Sequence, residues 1–306
     1  MQTSEQTPVF RITISLILGF ISFAFAPIFV RMANAQPIAL AAWRTIFAAL
    51  ILLPFWLTKR LKRKEKINVG RRSLILGIFA GLCLGVHFTF WIASLRFTSV
   101  ASASVLVTVH PIILIIVESL LFHERFSKSS WMGVFVAFAG SALLAYADKT
   151  MTSVFPHPFW GDVLAFIAAL VFSAYFLIGR KLRQKYDWLD YVFLVYSWAA
   201  IACLILSLAF GIGLKVDGMT LLMALGLAIG PQIMGHGSMN FSVKYISPTL
   251  LSTLILAEPL LATILAYFIF AELPSPYSFG AMTIVIIGIS MTWRKKPAVP
   301  KVIEST

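Results

Sequence analysis

Two stretches of this chain put ionisable side chains where a lipid-compatible run would otherwise continue unbroken. Residues 107–124 read VTVHPIILIIVESLLFHE and residues 255–272 read ILAEPLLATILAYFIFAE. His110 thus precedes Pro111, Glu258 precedes Pro259, and a glutamate, Glu124 or Glu272, follows thirteen residues after each proline. An imidazole or a carboxylate in such a place supplies a charge or a proton site. Arg44, His87, Glu118 and His236 add further ionisable groups inside apolar runs. A charge at the centre of a bilayer costs roughly 2.5–3.5 kcal/mol even on lenient insertion scales, so these side chains are expected to face a cavity or a partner.

The prolines sharpen that expectation. Pro111 and Pro259 lack an N–H and push away the carbonyl four residues earlier, that of Val107 and Ile255 respectively. In a hydrocarbon environment a freed carbonyl needs a neighbour, a water or a solute. Glu258 and His110 each lie about 15 Å into their runs at the helical rise, near the midplane. Two kinked helices with freed carbonyls beside His110 and Glu258 would form the centre of a polar pathway; the alternative is that the kinks only shape the bundle and Glu258 is a protonated packing residue.

Arg44 sits about 10 Å from the outer face. Its planar fork suits a carboxylate, either of a solute or of Glu258, and snorkelling to the outer headgroups is the competing reading. His236 and Asn240 share a helical face, as do His87 and Trp91 in the first half; histidine titrates near neutrality and can relay protons, although a hydroxyl-bonded packing histidine is the commoner case. Trp43, Trp91, Tyr175 and Tyr196 are deep enough to line a pathway or simply to pack. Trp160, Trp188 and Trp293 fall at run ends, as interfacial belts do. Glu118, near the inner end of its run, reads as a solvated edge or a helix contact.

The elements that must carry these residues follow from composition. The 306 residues are 59% hydrophobic and 12% charged, and the mean hydropathy is +0.90, which marks an integral membrane chain. Runs near the twenty residues needed to cross the hydrocarbon core occur at 12–30, 38–57, 73–93, 99–121, 130–147, 161–179, 190–212, 219–242, 248–270 and 276–293. The first run has no small-residue cleavage site and is read as a helix of the bundle. Twenty Lys and Arg fall between the runs on one side and four on the other, placing both termini in the cytoplasm. The net charge of +13 therefore reports topology, not nucleic-acid binding. Cys83 and Cys203 both lie in apolar runs, so neither a disulfide framework nor a metal site is indicated.

Self-comparison finds a repeat. At an offset of 148, His110-Pro111 falls on Glu258-Pro259, Glu124 on Glu272, Ser99 on Ser247 and Gly140 on Gly288; at 149, His87 falls on His236 and Arg31 on Arg180. Residues 1–150 and 151–306 are accordingly expected to be two repeats of five helices. Five is odd, so the second repeat enters the membrane inverted, an arrangement that places a site at the midplane and lets the halves exchange inward- and outward-facing shapes.

The closing segments of the two halves, together with GHGSMNFSVKYISPTLLSTLILAEP, resemble the EamA-type branch of the drug/metabolite transporter superfamily over nearly the whole chain. The resemblance implies an all-α membrane protein of ten transmembrane helices in a 5+5 inverted repeat. It implies a permease of the cytoplasmic membrane that exports amino acids or related small metabolites by alternating access, with a small-molecule substrate, the lipid bilayer and protons as candidate partners. Such a protein works as a monomer or homodimer without a cofactor. His110 departs from the family pattern before the first-half proline. An uncoupled uniporter and a carrier of drug-like cations or sugar derivatives remain alternatives. Nothing resembles a P-loop, so ATP hydrolysis is not expected, and a membrane-embedded enzyme is disfavoured because the chain has no H-E-x-x-H, G-x-S-x-G or paired-aspartate motif.

Overall fold

The computed structural model describes residues 7–63, 70–98, 103, 106–147, 157–271 and 276–293. Ser99 and Glu272, used in the sequence comparison, lie outside the described residues, as do the basic stretch 64–69 and the tail from 294. All regular structure among the described residues is helical.

The helices begin and end where local chemistry dictates. α1 spans Thr7–Met32, and α2 (Pro37–Lys62) opens on a proline and closes on Lys59, Arg60 and Lys62, complementing the helix dipole. α3 is Arg71–Phe97, α4 His110–Leu121, α5 Lys128–Ala147 and α6 Pro158–Arg183. α7 (Trp188–Ala209) is capped by Asp187, which accepts from the Asp190 N–H at 3.2 Å. α8 (Gly218–Leu227) is capped by Asp217, which accepts from the Thr220 N–H at 2.6 Å. That bond holds the Asp217 carboxyl below the usual carboxylate range.

The helix begun at α8 then widens into a π segment over Ala228–His236 and resumes as α9, Gly237–Ser242. Pro231 lies inside the wide turns, and π segments within α-helices are frequent at functional sites. The next run is also divided: α10 is Pro248–Ile255 and α11 is Glu258–Phe270, with Pro259 at the start of α11. α12 is Pro276–Trp293. Counting the divided runs as single rods, eight helices among the described residues are long and apolar enough to cross a membrane, and α4 is a shorter apolar helix.

The packing pairs elements far apart in sequence. α3 lies on α6 and α7, α1 on the π segment, α9 and α11, α2 on α7 and α8, α4 on α10, and α5 on α12. Glycine permits the tightest of these approaches: a Cβ on Gly288 of α12 would sit 2.2 Å from the Ala137 backbone nitrogen of α5, and one on Gly85 of α3 would sit 2.7 Å from the Ala199 carbonyl oxygen of α7. Without a hydrophobic drive between helices in lipid, close backbone contact of this kind carries much of the association.

At the end bearing the basic clusters, side chains bridge the rods. Lys59 and Arg63 of α2 and its following residue pair with Asp187 and Asp190 at the start of α7. Partial burial alone would raise the Asp187 carboxyl, but the Lys59 ammonium and the Asp190 contacts outweigh it and hold Asp187 well below the usual range. Glu118 is not a solvated edge: it is fully buried, pairs with Arg180 of α6, and accepts from the Thr249 N–H (2.7 Å) and hydroxyl (2.5 Å) at the start of α10. Arg180 also pairs with Glu124. Trp188 and Trp293 are half-buried and bonded, to the Gly237 carbonyl (2.7 Å) and the Thr253 hydroxyl (3.2 Å), whereas Trp160 is exposed.

Candidate functional site

A cavity of about 100 Å³ lies between the packed rods, lined by Arg44, His87, Trp91, Thr108, His110, Phe172, His236, Ile255 and Glu258 together with Phe23, Phe88 and other apolar groups. It draws on α1, α2, α3, the start of α4 and the residues before it, α6, the π segment and the α10–α11 break. The broken helices explain why: each break brings backbone and a polar side chain to the same depth.

At the first break, the Val107 carbonyl, deprived of its donor by Pro111, accepts from Nδ1 of His110 at 2.9 Å. The neighbour that satisfies it is the residue preceding the proline. Because a carbonyl only accepts, the proton is on Nδ1, and Nε2 is left buried without a hydrogen-bond partner. The His110 ring stands edge-on to Phe172, centroids 4.7 Å apart. At the second break, Ile255 and Glu258 both border the cavity, and Glu258 is the acidic side chain among its lining residues.

The other two histidines complete an aromatic wall. His87 donates from Nδ1 to the Ala168 carbonyl of α6 at 3.0 Å and packs 5.0 Å from Phe172. His236, from the π segment, stands edge-on to Phe23 (4.9 Å) and Phe88 (5.1 Å), and 6.5 Å from His87. The repeat-related histidines therefore meet across the cavity.

Arg44 is 1% exposed, so its guanidinium does not snorkel to the headgroups. It lies 3.8 Å from the centre of the Phe88 ring, a cation–π arrangement, and donates from Nε to Gln232 Oε1 at 3.1 Å. Its Nη2 is buried without a partner. Gln232 is a residue that the search for ionisable groups passed over. The signal for it was an amide directly after Pro231 in an otherwise apolar run.

The remaining sequence candidates occupy different places. Tyr196 is fully buried and donates to the Gln232 main-chain oxygen at 2.8 Å. Tyr175 accepts from Nδ2 of Asn240 at 2.6 Å, one layer behind the cavity wall. Trp43 points elsewhere and donates to the Leu214 carbonyl at 2.9 Å, in the connection before α8. The described residues hold no cluster of His, Cys, Asp and Glu able to bind a metal ion.

The comparisons with known proteins agree with this architecture. The EamA-like transporter family model matches the chain twice, over residues 11–146 and 159–294. An uncharacterized transporter of Archaeoglobus fulgidus is 24% identical, covering 92% of this chain and 96% of the relative. The Bacillus subtilis uncharacterized transporter YdfC is 21% identical over 95% of this chain and 93% of the relative. An S-adenosylmethionine uptake transporter of Rickettsia felis is 27% identical over 87% of this chain and 86% of the relative. A crystal structure superposes with a TM-score of 0.75 at 17% identity, over 93% of this chain and 97% of that one; it is a likeness of fold.

Proposed function

The chain belongs to the EamA-like transporter family and is a multi-pass membrane permease, and we propose that it moves an amphoteric small metabolite bearing a carboxylate, with amino acids as the leading class, by alternating access around the histidine-lined cavity. The observation that carries this reading is the cavity itself. It joins a fixed cation, Arg44, to a carboxyl, Glu258, in an aromatic setting, and its walls come from both family-matched segments. Arg44 anchors the substrate carboxylate. Glu258 receives its ammonium or a coupling proton. A carrier of drug-like cations fits less well, since a permanent positive charge at the cavity would repel them.

The proposal includes ten transmembrane helices, two inverted five-helix repeats divided near residue 150, and cytoplasmic termini in the cell's inner membrane. The packing supports the inversion. If the first and second halves are related by a two-fold axis in the membrane plane, α3-on-α6 has α1-on-π-segment as its mate, and α2–α7, α4–α10 and α5–α12 lie on the axis; all these contacts are present. The double family match supports the division, and the twenty-to-four distribution of Lys and Arg supports the orientation. The name of the Rickettsia felis relative supports the amino-acid end of the substrate alone: S-adenosylmethionine carries an α-amino acid group beside a cationic sulfonium.

The test is flux in proteoliposomes, using a panel of amino acids, amino-acid amides and organic cations, with and without a pH gradient. Saturable flux of amino acids that exceeds that of their amides is expected. Arg44→Gln should remove that preference, and Glu258→Gln should abolish acceleration by the pH gradient while substrate exchange persists. Equal flux of acids and amides through the unmodified protein would sink the carboxylate reading.

A further inference from the structure

The structure assigns to Gln232 the role of a specificity-determining positioning residue: it orients Arg44 without forming an ion pair with it, so that the guanidinium stays open to a carboxylate of the solute. This rests on the carboxylate reading above and extends it to a residue that does not itself line the cavity.

Four observations carry the assignment. Arg44 and Gln232 are buried to 1% and 0% exposure, far below what a solvated pair would show. Their one hydrogen bond, Nε to Oε1 at 3.1 Å, joins the cation to a neutral amide. Each partner of that bond then retains a buried donor with nothing to donate to, Nη2 on Arg44 and Nε2 on Gln232. Tyr196 fixes the backbone beneath by donating to the Gln232 carbonyl at 2.8 Å, and the π segment sets the direction of the side chain.

The contrast with Arg180 shows what is unusual. Arg180, 16% exposed, is neutralised by Glu118 and Glu124, the ordinary solution for a guanidinium out of water. Among the described residues Arg44 makes no ion pair, although a carboxylate in place of the Gln232 amide would supply one at the same spot with nearly the same shape. An acid there would occupy the side of the fork facing Gln232 permanently and compete with any carboxylate entering the cavity. An amide keeps the guanidinium in plane through Oε1 and adds a second donor through Nε2. The unpaired Nη2 of a guanidinium held in this way suits a planar carboxylate. Burying that donor unpaired is costly, and the cost is offset when the solute binds.

The experiment compares binding of radiolabelled L-leucine and L-leucinamide to the purified full chain, in the unmodified protein and in the Arg44→Gln, Gln232→Glu and Gln232→Met variants. The unmodified protein should prefer leucine. Gln232→Glu should lower that preference by about tenfold or more, the loss of one charge-assisted hydrogen bond, and should leave leucinamide binding unchanged or improved. Gln232→Met, which keeps bulk and removes the amide, should weaken leucine without improving leucinamide. If Arg44→Gln abolishes the preference but Gln232→Glu preserves it, the role of Gln232 is overturned and the carboxylate reading stands. If Gln232→Glu weakens both probes equally, its effect is structural and the assignment also falls. If the unmodified protein shows no preference for leucine, or Arg44→Gln leaves the preference intact, the carboxylate anchor fails and this inference falls with it.

Discussion

The ion network at the basic end makes a quantitative prediction. Glu118 of α4 is fully buried, pairs with Arg180 of α6 and accepts two hydrogen bonds from Thr249 at the start of α10. It therefore ties α4 of the first family-matched segment to two helices of the second. If the two segments rock against each other, opening the cavity at this end separates these groups. Glu118→Gln keeps the volume but offers one acceptor oxygen where two served, and turns an NH₂ toward a donor. Breaking a buried pair costs about 3–5 kcal/mol, and the lower figure is appropriate because the glutamine retains one acceptor. About 3 kcal/mol corresponds to roughly a hundredfold shift toward the state open at this end.

The assay uses Thr108, which lines the cavity. In a Thr108→Cys background, a membrane-impermeant thiol reagent added at the basic end should react roughly a hundredfold faster when Glu118→Gln is present. Cys83 and Cys203 are buried and give little background. The Glu118→Gln/Arg180→Met double variant should open little further than Glu118→Gln, because the partners act as one unit. A rate within twofold of the unmodified background, with the melting profile intact, would show that this network does not close the cavity. Strict additivity of the two substitutions would show that the residues do not act as a pair.

Three further outcomes are expected. His110→Phe keeps the edge contact with Phe172 but leaves the Val107 carbonyl without its donor, and should cost about 1–3 kcal/mol in denaturant titration; an unchanged midpoint would mean that the carbonyl has another partner. Gly288→Ala puts a methyl 2.2 Å from the Ala137 nitrogen, backbone that cannot swing aside, so α5 and α12 should separate at a cost of about 1–3 kcal/mol, read as a lower melting temperature. Asp187→Asn should lower stability by no more than about 1 kcal/mol, since the carboxylate is 40% exposed and screened. Its folded-state pKa is depressed, so the difference from the unmodified protein should be constant from pH 8 to about 5 and close below about pH 4, as the unfolded carboxylate titrates; a difference that grows on acidification would reverse the sign of this argument.

Charge and proline placement made much of the site legible in the sequence. His110, Glu258, Arg44, His87 and His236 stand out because ionisable groups in apolar runs are expensive, and Trp91 for its depth and the face it shares with His87; the fold brings all six to one cavity. Pro111 correctly marked the Val107 carbonyl as needing a donor, but the donor is His110 itself, a matter of ring rotamer that spacing does not encode. Gln232 escaped because a neutral amide carries no charge signal, and its position depends on a π segment that a 3.6-residue period does not predict. Of the two readings of Glu118, the helix contact holds and the solvated edge does not; depth along one helix does not separate them, because its partners Arg180 and Thr249 are 62 and 131 residues away. Trp43 shows the converse, a residue at suitable depth whose side chain turns to the Leu214 carbonyl.

The two proline motifs are equivalent in sequence and unequal in chemistry, and the cavity shows why one of them does not carry an acid. Arg44 is the fixed cation lining the cavity and Glu258 its carboxyl. A carboxyl at position 110 would put a second acid in a space of about 100 Å³ that holds one guanidinium, and an unpaired buried charge costs several kcal/mol. It would also compete with the solute for Arg44, as an acid at position 232 would. Histidine avoids both difficulties: Nδ1 satisfies the carbonyl that the proline releases, and Nε2 still offers the solute an acceptor. The imidazole at 110 and the amide at 232 thus share one feature: neither adds an acid to surroundings of Arg44 that already include Glu258.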